Sequence, residues 1–241
     1  LSDDQLRHVC AEARENGVMA IVNTATSLDD CPAVFRQCAQ DESLFGTAGI
    51  SPFDVCELPR DWERKLEGHV RAPRIVAVGE CGLDASNPRY PALKAQAGVF
   101  EAQVACAVNH DKPLVIHSRG AIRRVLDCCR AGGVKKALFH CFTGSVDELG
   151  LVLDAGYYVS FAGIITFSSS NLDECVRNTP VDRMFVETDT PYLAPVPYRG
   201  KPNQPAWVRH TGEKAAHLKE CDPAGLAAQI QINFNTLFNP V

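Results

Sequence analysis

The sequence lacks any apolar run close to the ~20 residues that cross a bilayer, so we expect no membrane partner. Its opening stretch, residues 1–16, is charged and does not resemble a signal peptide. The net charge is −5, whereas a protein that holds nucleic acid through bulk electrostatics is expected to be basic. An architectural nucleic-acid binder is therefore excluded, but an enzyme that handles phosphate with metal ions and a few local cations is not.

The sequence also lacks a Cys-x-x-Cys motif, although it contains 11 cysteines. The nearest approach is the adjacent pair Cys128 and Cys129. A disulfide scaffold or a structural zinc finger would show paired spacings. We therefore predict reduced, mostly buried thiols in a cytoplasmic protein.

Repeats and low-complexity tracts are absent, and short apolar runs alternate with amphipathic stretches instead. The 241 residues are close to the ~250 of a typical (β/α)₈ barrel, so we expect one domain, 1–241. We predict seven strands, at 18–25, 44–50, 74–78, 114–117, 137–140, 157–161 and 183–187. Helices are predicted at 2–16, 29–40, 62–69, 93–110, 121–130, 146–155, 171–178, 204–218 and 223–238.

Alternation of strand and helix indicates a parallel sheet with both faces covered. A closed (β/α)₈ TIM barrel needs eight strands, and we count seven. The chain opens on a helix, and its first residue is Leu rather than Met. We therefore expect that the first barrel strand is missing from this chain and that the strand at 18–25 occupies the second position, beside a gap. The alternative is an open doubly wound sheet, but no Gly-rich phosphate loop follows an early strand.

Four predicted strands end in groups that bind metals: Glu80, His117, His140 and Asp189. In a βα barrel the chemistry lies at these carboxyl ends. Strand ends occupy roughly a tenth of such a chain, so chance places fewer than one of the seven histidines there. A single histidine at a strand end is more often structural, but the four residues together predict a metal site.

Two carboxylates with two imidazoles suit Zn²⁺, Mn²⁺ or a similar ion better than Ca²⁺. We expect divalent ions, Mg²⁺, Mn²⁺ or Zn²⁺, with up to two in the site. Such a site can lower the pKa of bound water and polarise a phosphoryl or acyl oxygen. Asp189 is the candidate to take a proton from that water or to orient it.

Five segments together resemble one family. The segment 79–84, GECGLD, resembles the GE-x-GLD signature of the TatD family of metal-dependent deoxyribonucleases. The segments 116–119 (IHSR), 139–144 (FHCFTG) and 187–193 (ETDTPYL) are similar to further motifs of that family, in the same order. The segment 199–205, RGKPNQP, is similar to its RG-K-x-N-x-P motif.

This resemblance implies a barrel of the amidohydrolase-like hydrolase type that cleaves phosphodiester bonds in a DNA substrate. It also implies roles for the four strand-end residues. Glu80 would bridge two metal ions, and His117 and His140 would bind one of them. Asp189 would bind the other ion and act on the water, so the resemblance makes Glu80 and Asp189 the catalytic carboxylates.

The sequence departs from the family pattern in two places. The His-x-His of the family's first strand is not found here, and Gly49-Ile50-Ser51-Pro52-Phe53 stands where G-[IV]-H-P-H is common. Serine can hydrogen-bond a phosphate but cannot carry a positive charge. Ser51 is therefore expected to bind substrate as a neutral group.

Three cations are candidates for substrate binding. Arg119 either reaches a substrate phosphate or pairs with a carboxylate. Arg199 and Lys201 follow Asp189 and form either a cationic rim that attracts DNA or an ordinary solvated loop. Tyr192 and Phe53 either stack on a base or pack against apolar neighbours.

Two other functions remain open. One is a metal-dependent hydrolase on the same barrel that cleaves an amide or a lactone, which usually carries a Lys at a strand end; none is present here. The other is a catalytically impaired barrel that binds a metal or a protein. The sequence leaves the physiological metal, exo or endo cleavage, and the oligomeric state open.

Overall fold

The computed structural model describes residues 1–240. Seven parallel strands form one sheet in the order β1 to β7, and each strand pairs with its neighbour in sequence. This confirms the predicted α/β fold of the barrel type. The strands are β1 Ile21–Asn23, β2 Leu44–Ala48, β3 Ile75–Asp84, β4 Leu114–Arg119, β5 Ala137–Phe139, β6 Tyr158–Phe161 and β7 Met184–Val186.

The helices are α1 Asp3–Glu15, α2 Cys31–Cys38, α3 Trp62–Val70, α4 Leu93–Asn109, α5 Ile122–Gly132, α6 Val146–Asp154, α7 Asp173–Asn178, α8 Val208–Leu218 and α9 Pro223–Phe238. Helices α2 to α7 lie between the strands in sequence, α1 precedes β1, and α8 and α9 follow β7. Ser2 begins α1 with a capping box, in which its hydroxyl accepts from the Gln5 amide while the Gln5 side chain accepts from the Ser2 amide. No helix within residues 1–240 is both long enough and apolar enough to span a membrane.

Within residues 1–240, β1 and β7 are the two edges of the sheet. The first strand therefore has a hydrogen-bonded neighbour on one side only, as expected for the strand near residue 18. It is shorter than predicted, because pairing with β2 covers only three residues. All 11 cysteines are free, and seven of them are buried.

The sheet is strongly curled. In a flat sheet β2 and β7 would lie about 24 Å apart, because neighbouring strands are spaced by ~4.8 Å. Instead, Phe45 of β2 contacts Phe234 with ring centroids 5.4 Å apart, and Phe185 of β7 contacts Phe238 at 6.1 Å. Phe234 and Phe238 are themselves in contact on α9, at 5.3 Å.

Each strand contributes an inward apolar side chain to one cluster beneath the carboxyl ends of the strands. We call this cluster the floor. Its contributors from α9 are Phe234, Leu237 and Phe238, and those from the strands are Val22, Phe45, Val76, Ala77, Val115, Leu138, Tyr158 and Phe185.

The inward positions of the floor residues determine which residues of the same strands point inward above them. Side chains along a strand alternate between faces with a period of two. The residues two positions beyond Val115, Leu138, Tyr158 and Phe185 are therefore the next inward layer. They are His117, His140, Ser160 and Glu187. The intervening residues, such as Ile116 and Phe139, pack outward among the helices.

One predicted boundary is wrong in an informative way. The sequence predicts that the third strand ends at Val78, but β3 continues to Asp84. Its pairing with β4 is interrupted after Val78 and resumes at Cys81, so Glu80 lies in a bulge within the strand. The pairing resumes because Gly82, at φ +135°, lets the two backbones approach. A Cβ there would lie only 2.0 Å from the carbonyl oxygen of His117.

Candidate metal centre

The candidate residues lie at the carboxyl end of the curled sheet. Glu80 is in the bulge of β3, and His117 lies inside β4. His140 and Glu187 each follow the last residue of a strand, β5 and β7 respectively. Asp189 comes two residues later, with a left-handed backbone at φ +57°, a conformation that Asp tolerates better than most residues.

Glu80 lies between the two imidazoles. Its Oε1 is 3.4 Å from Nδ1 of His117, and its Oε2 is 3.6 Å from Nε2 of His140. Ligand atoms of these three residues all lie within 4.8 Å of one another. The three residues thus offer one carboxylate and two ring nitrogens to a common point.

Each imidazole has a carboxylate behind it. Nε2 of His117 is 2.8 Å from Oδ2 of Asp84, whose other oxygen accepts hydrogen bonds from the amide and hydroxyl of Ser86. Nδ1 of His140 is 3.4 Å from Oε1 of Glu187, and Glu187 also accepts a hydrogen bond from Ser160. Carboxylates in this position fix the tautomer and the orientation of a metal-binding histidine.

The two imidazoles differ in their pKa values. Burial lowers the pKa of His117 to about 4, so its ring is neutral at pH 7. With Asp84 at Nε2, the neutral ring carries its proton there and leaves the Nδ1 lone pair free. Burial also acts to lower the pKa of His140, but its hydrogen bond with Glu187 and the negative charges of Glu187, Glu80 and Asp189 together raise it to about 9.

Two carboxyl groups of the cluster have a raised pKa. Burial raises the pKa of Glu80, and the charges of Asp189 and Glu187 act in the same direction. Burial and the charge of Glu187 likewise raise the pKa of Asp189. Buried negative charges require a compensating cation, and a divalent ion among these groups would provide it.

The residues present fit a divalent metal ion. Nε2 of His140 is buried and has no hydrogen-bond partner within the described part of the chain. An unpartnered buried nitrogen is costly, and a metal bound between Glu80, His117 and His140 would satisfy it. The mixed oxygen and nitrogen set suits Zn²⁺ or Mn²⁺.

A second set of possible metal ligands shares His140 with the first. Ligand atoms of His140, Glu187 and Asp189 also lie within 4.8 Å of one another. A His140 ring that binds through Nε2 presents Nδ1–H to Glu187, so this second position is left with the carboxylates of Glu187 and Asp189. Oxygen ligands alone favour Mg²⁺ or Mn²⁺.

The three positively charged side chains that are candidates for substrate binding differ in their environments. Arg119 is half-buried at the end of β4, forms no ion pair within residues 1–240, and donates a hydrogen bond to the carbonyl oxygen of Ser118 at 3.0 Å. Its charge acts to lower the pKa of Glu80 and of Asp189. Arg199 and Lys201 are exposed in the loop after β7, over the rings of Phe167 and Tyr198.

Ser51 does not present a free hydroxyl. Its side chain is fully buried, and its Oγ donates to Oδ2 of Asp54 at 2.8 Å and accepts from the amide of Phe53 at 3.3 Å. The hydroxyl is therefore used within its own turn, and the structure does not bring it to the cluster. The neighbouring Phe53 is there instead, with its ring 5.2 Å from that of His117.

The sequence predicts no role for two residues of the site. Asp84 ends the GECGLD segment, and Glu187 precedes Asp189 by two positions. A signal for Glu187 was present, because it lies two residues beyond the inward-facing Phe185. Asp84 gave no comparable signal, since its contact with His117 depends on the pairing of β3 with β4 beyond the bulge.

Comparisons with known proteins agree with these observations. The TatD related DNase family matches residues 1–239. The protein from Edwardsiella piscicida named 3′-5′ ssDNA/RNA exonuclease TatD is 35% identical over 240 residues, which covers 95% of this chain and 92% of that protein. YcfH of Escherichia coli (strain K12), named an uncharacterized metal-dependent hydrolase, is 35% identical over 242 residues, or 96% of this chain and 87% of that protein.

A solved structure shows the same fold. The crystal structure of YjjV, a TatD homologue from Escherichia coli K12, matches with a TM-score of 0.92 at 23% identity and covers 97% of this chain and 91% of that one. The family match extends over nearly the whole chain, and two of its relatives share about a third of its residues. This chain therefore belongs to the TatD family of metal-dependent hydrolases.

Proposed function

We propose that this protein hydrolyses phosphodiester bonds in DNA with divalent metal ions held at the carboxyl end of its sheet. One observation carries the proposal. Glu80 faces Nδ1 of His117 and the unpartnered Nε2 of His140, while Asp84 and Glu187 face the other nitrogen of each ring. Glu80 and the two ring nitrogens that it faces can bind a cation between them, whereas they are too far apart for good hydrogen bonds with one another.

Glu80, His117 and His140 would hold one ion, and Glu187 and Asp189 offer oxygens for a second. A divalent ion bound here supplies Lewis-acid polarisation of a phosphoryl oxygen and makes a nearby water molecule more acidic. The protein's own contribution is to keep both rings oriented and Nδ1 of His117 deprotonated. The low pKa of His117 ensures the second condition at neutral pH.

Asp189 is the proton acceptor in this proposal. Burial and the charge of Glu187 raise the pKa of Asp189, which makes its carboxylate a stronger base than an ordinary aspartate. The water loses a proton to the Asp189 carboxylate as its oxygen bonds to phosphorus. The bond from phosphorus to the leaving sugar oxygen then breaks, and that oxygen takes a proton from solvent while Asp189 releases its own proton to solvent.

Arg119 would bind the phosphate. It is half-buried and without a carboxylate partner within residues 1–240, so its guanidinium is available to an anion, and such pairs are often bidentate. Arg199 and Lys201 would extend this local positive charge along the rim. An acidic protein needs such a local feature to attract a polyanion.

Single-stranded DNA is the substrate to test first, with RNA beside it, because the Edwardsiella relative is named for both. The purified protein is assayed on labelled oligonucleotides with Mg²⁺, Mn²⁺ or Zn²⁺, with EDTA as the control. We expect cleavage that requires metal. Equal cleavage in EDTA would contradict the mechanism, and turnover of an amide or lactone panel without nuclease activity would assign the barrel to another reaction.

Glu80→Gln tests the site itself. The neutral amide keeps the shape of the side chain but cannot offset the charge of the ions. We expect loss of at least one bound metal, measured by elemental analysis, and a fall in DNA hydrolysis of ~10³-fold, equivalent to ~4 kcal/mol in the barrier. Glu213→Gln, at an exposed ion pair with Arg209 on α8, is the matched control and should behave as the wild type.

A further inference from the structure

Exposed aromatic side chains are few in this protein, and they lie at the carboxyl end of the sheet. The chain has 18 aromatic residues, from 11 Phe, 5 Tyr and 2 Trp. Within residues 1–240 those exposed to solvent are Phe53, Tyr90 and Tyr192. They follow β2, β3 and β7, in the loops that surround the metal cluster. Because the exposed aromatic rings are confined to this end of the sheet, we infer that they contact a ligand there.

Phe53 is held in a defined orientation. Its ring lies 5.2 Å from that of His117 at an interplanar angle of 75°, and 4.6 Å from that of Tyr90 at 63°. Its backbone amide donates to the buried hydroxyl of Ser51. Despite these contacts 39% of the residue remains exposed, so an immobilised aromatic surface faces solvent beside a proposed metal ligand.

We propose that Phe53, supported edge-on by Tyr90, forms a platform on which a nucleobase stacks while its phosphate occupies the metal cluster. The inference rests on the proposed function and adds a specificity determinant to it. An aromatic surface stacks on any base, because every base has a π-face.

The platform has a specific consequence for substrate choice. A duplex keeps its bases stacked on one another, whereas a single strand offers them freely. Stacking of one base on Phe53 is expected to contribute about tenfold to affinity. The preference is for a base over no base, and not for one base over another.

The test compares two oligonucleotides of equal charge: a labelled 12-mer of thymidine and a 12-mer of abasic residues. Binding to the protein is followed by fluorescence anisotropy with Mn²⁺ on hydrolysis-resistant phosphorothioate forms of both strands, and kcat/KM is measured on the ordinary strands with the same ion. We expect the wild type to prefer the thymidine strand by about tenfold in both measurements. Phe53→Leu should remove most of this preference, and Phe53→Trp should retain it.

The pattern across substrates separates stacking from other effects. If Phe53→Leu weakens binding to both strands equally, Phe53 only positions His117 and the inference is overturned. The same holds if the wild type binds and cleaves both strands equally well, although nuclease function then stands. If neither strand is bound or cleaved with any metal, the proposed function fails together with the inference.

Discussion

Each imidazole of the cluster lies between two carboxylates, and this determines which ring nitrogen is available. Asp84 faces Nε2 of His117, so Nδ1 points to Glu80. For His140 the assignment is reversed, because Glu187 faces Nδ1 and Nε2 points to Glu80. A histidine that binds a metal ion must be neutral, and in that state the outer carboxylates would set opposite tautomers in the two residues, which otherwise have the same role in the proposed site.

Asp84→Asn tests this control of the tautomer. The amide can still contact His117, but it no longer favours the Nε2–H form through a negative charge. We expect metal affinity to fall by about 10- to 100-fold, the usual effect of losing such a partner, with the fold retained. Competition against a fluorescent chelator measures the affinity. Asp154→Asn, an exposed substitution at the end of α6, is the control, and an equal loss there would contradict the interpretation.

Asp30 gives a pH-dependent prediction away from the site. Burial acts to raise its pKa, but hydrogen bonds from the side chains and amides of Thr26 and Ser27 outweigh that effect and lower it. A lowered folded-state pKa means that the stabilisation is present above the unfolded value of ~3.9 and is lost as the pH falls through the folded value.

We therefore expect Asp30→Ala to lower the free energy of unfolding by about 1 kcal/mol at pH 7, a modest value because the carboxylate is exposed. The difference from the wild type should shrink as the pH falls from 5 to 3. Urea unfolding at several pH values measures it. Asp29→Ala is the control, since Asp29 forms no side-chain hydrogen bond or ion pair within residues 1–240, and a constant difference across this range would refute the assignment.

At the scale of elements, β3 marks the limit of what the sequence predicts. Its first half is an apolar run and was identified as a strand. The second half is not apparent from the pattern, because Glu80 and two glycines interrupt the run. Only pairing with β4 beyond the bulge makes it a strand. The strand-end carboxylates and imidazoles could be found from the sequence. The contact of Asp84 with His117 and the hydrogen bonds of Ser51 within its turn could not, because they depend on side-chain geometry and leave no periodic pattern in the sequence.

Helix α9 supports the inward layer from below. Leu237, which is 1% exposed, packs in the floor with Phe234 and Phe238. Leu237→Ala should lower the free energy of unfolding by about 2–4 kcal/mol, through lost burial and a residual cavity. Ile232→Ala on the same helix removes a residue that is 57% exposed and should cost less than about 0.5 kcal/mol. Denaturant titration compares the two, and similar costs would show that the floor is not a packed core.

At the scale of the whole molecule, the metal cluster joins distant parts of the chain. Glu80, His140 and Asp189 span more than 100 positions in sequence and come from β3, the end of β5 and the loop after β7. An ion bound only by the folded arrangement would therefore stabilise the entire fold. The acidic groups that repel one another without an ion make this coupling stronger.

Thermal unfolding measures that coupling. With a divalent ion at about 100 times its dissociation constant, the stabilisation is about 2.7 kcal/mol, which corresponds to a rise in Tm of roughly 5–10 °C for a protein of this size. EDTA should reverse the rise, and Glu80→Gln should abolish it. An unchanged Tm with Mg²⁺, Mn²⁺ and Zn²⁺ alike would argue against a metal site.

The floor also limits the routes by which a substrate could enter the site and a product could leave it. Phe234 and Phe238 of α9 pack with the inward apolar side chains directly below the inward polar layer, so the floor blocks passage from the site toward the opposite end of the sheet. Under the proposed function, a cleaved nucleotide would not pass the floor and would leave at the carboxyl end of the sheet, where the strand enters. Product and incoming substrate would then compete for the same opening, so release of the product would have to precede binding of the next strand.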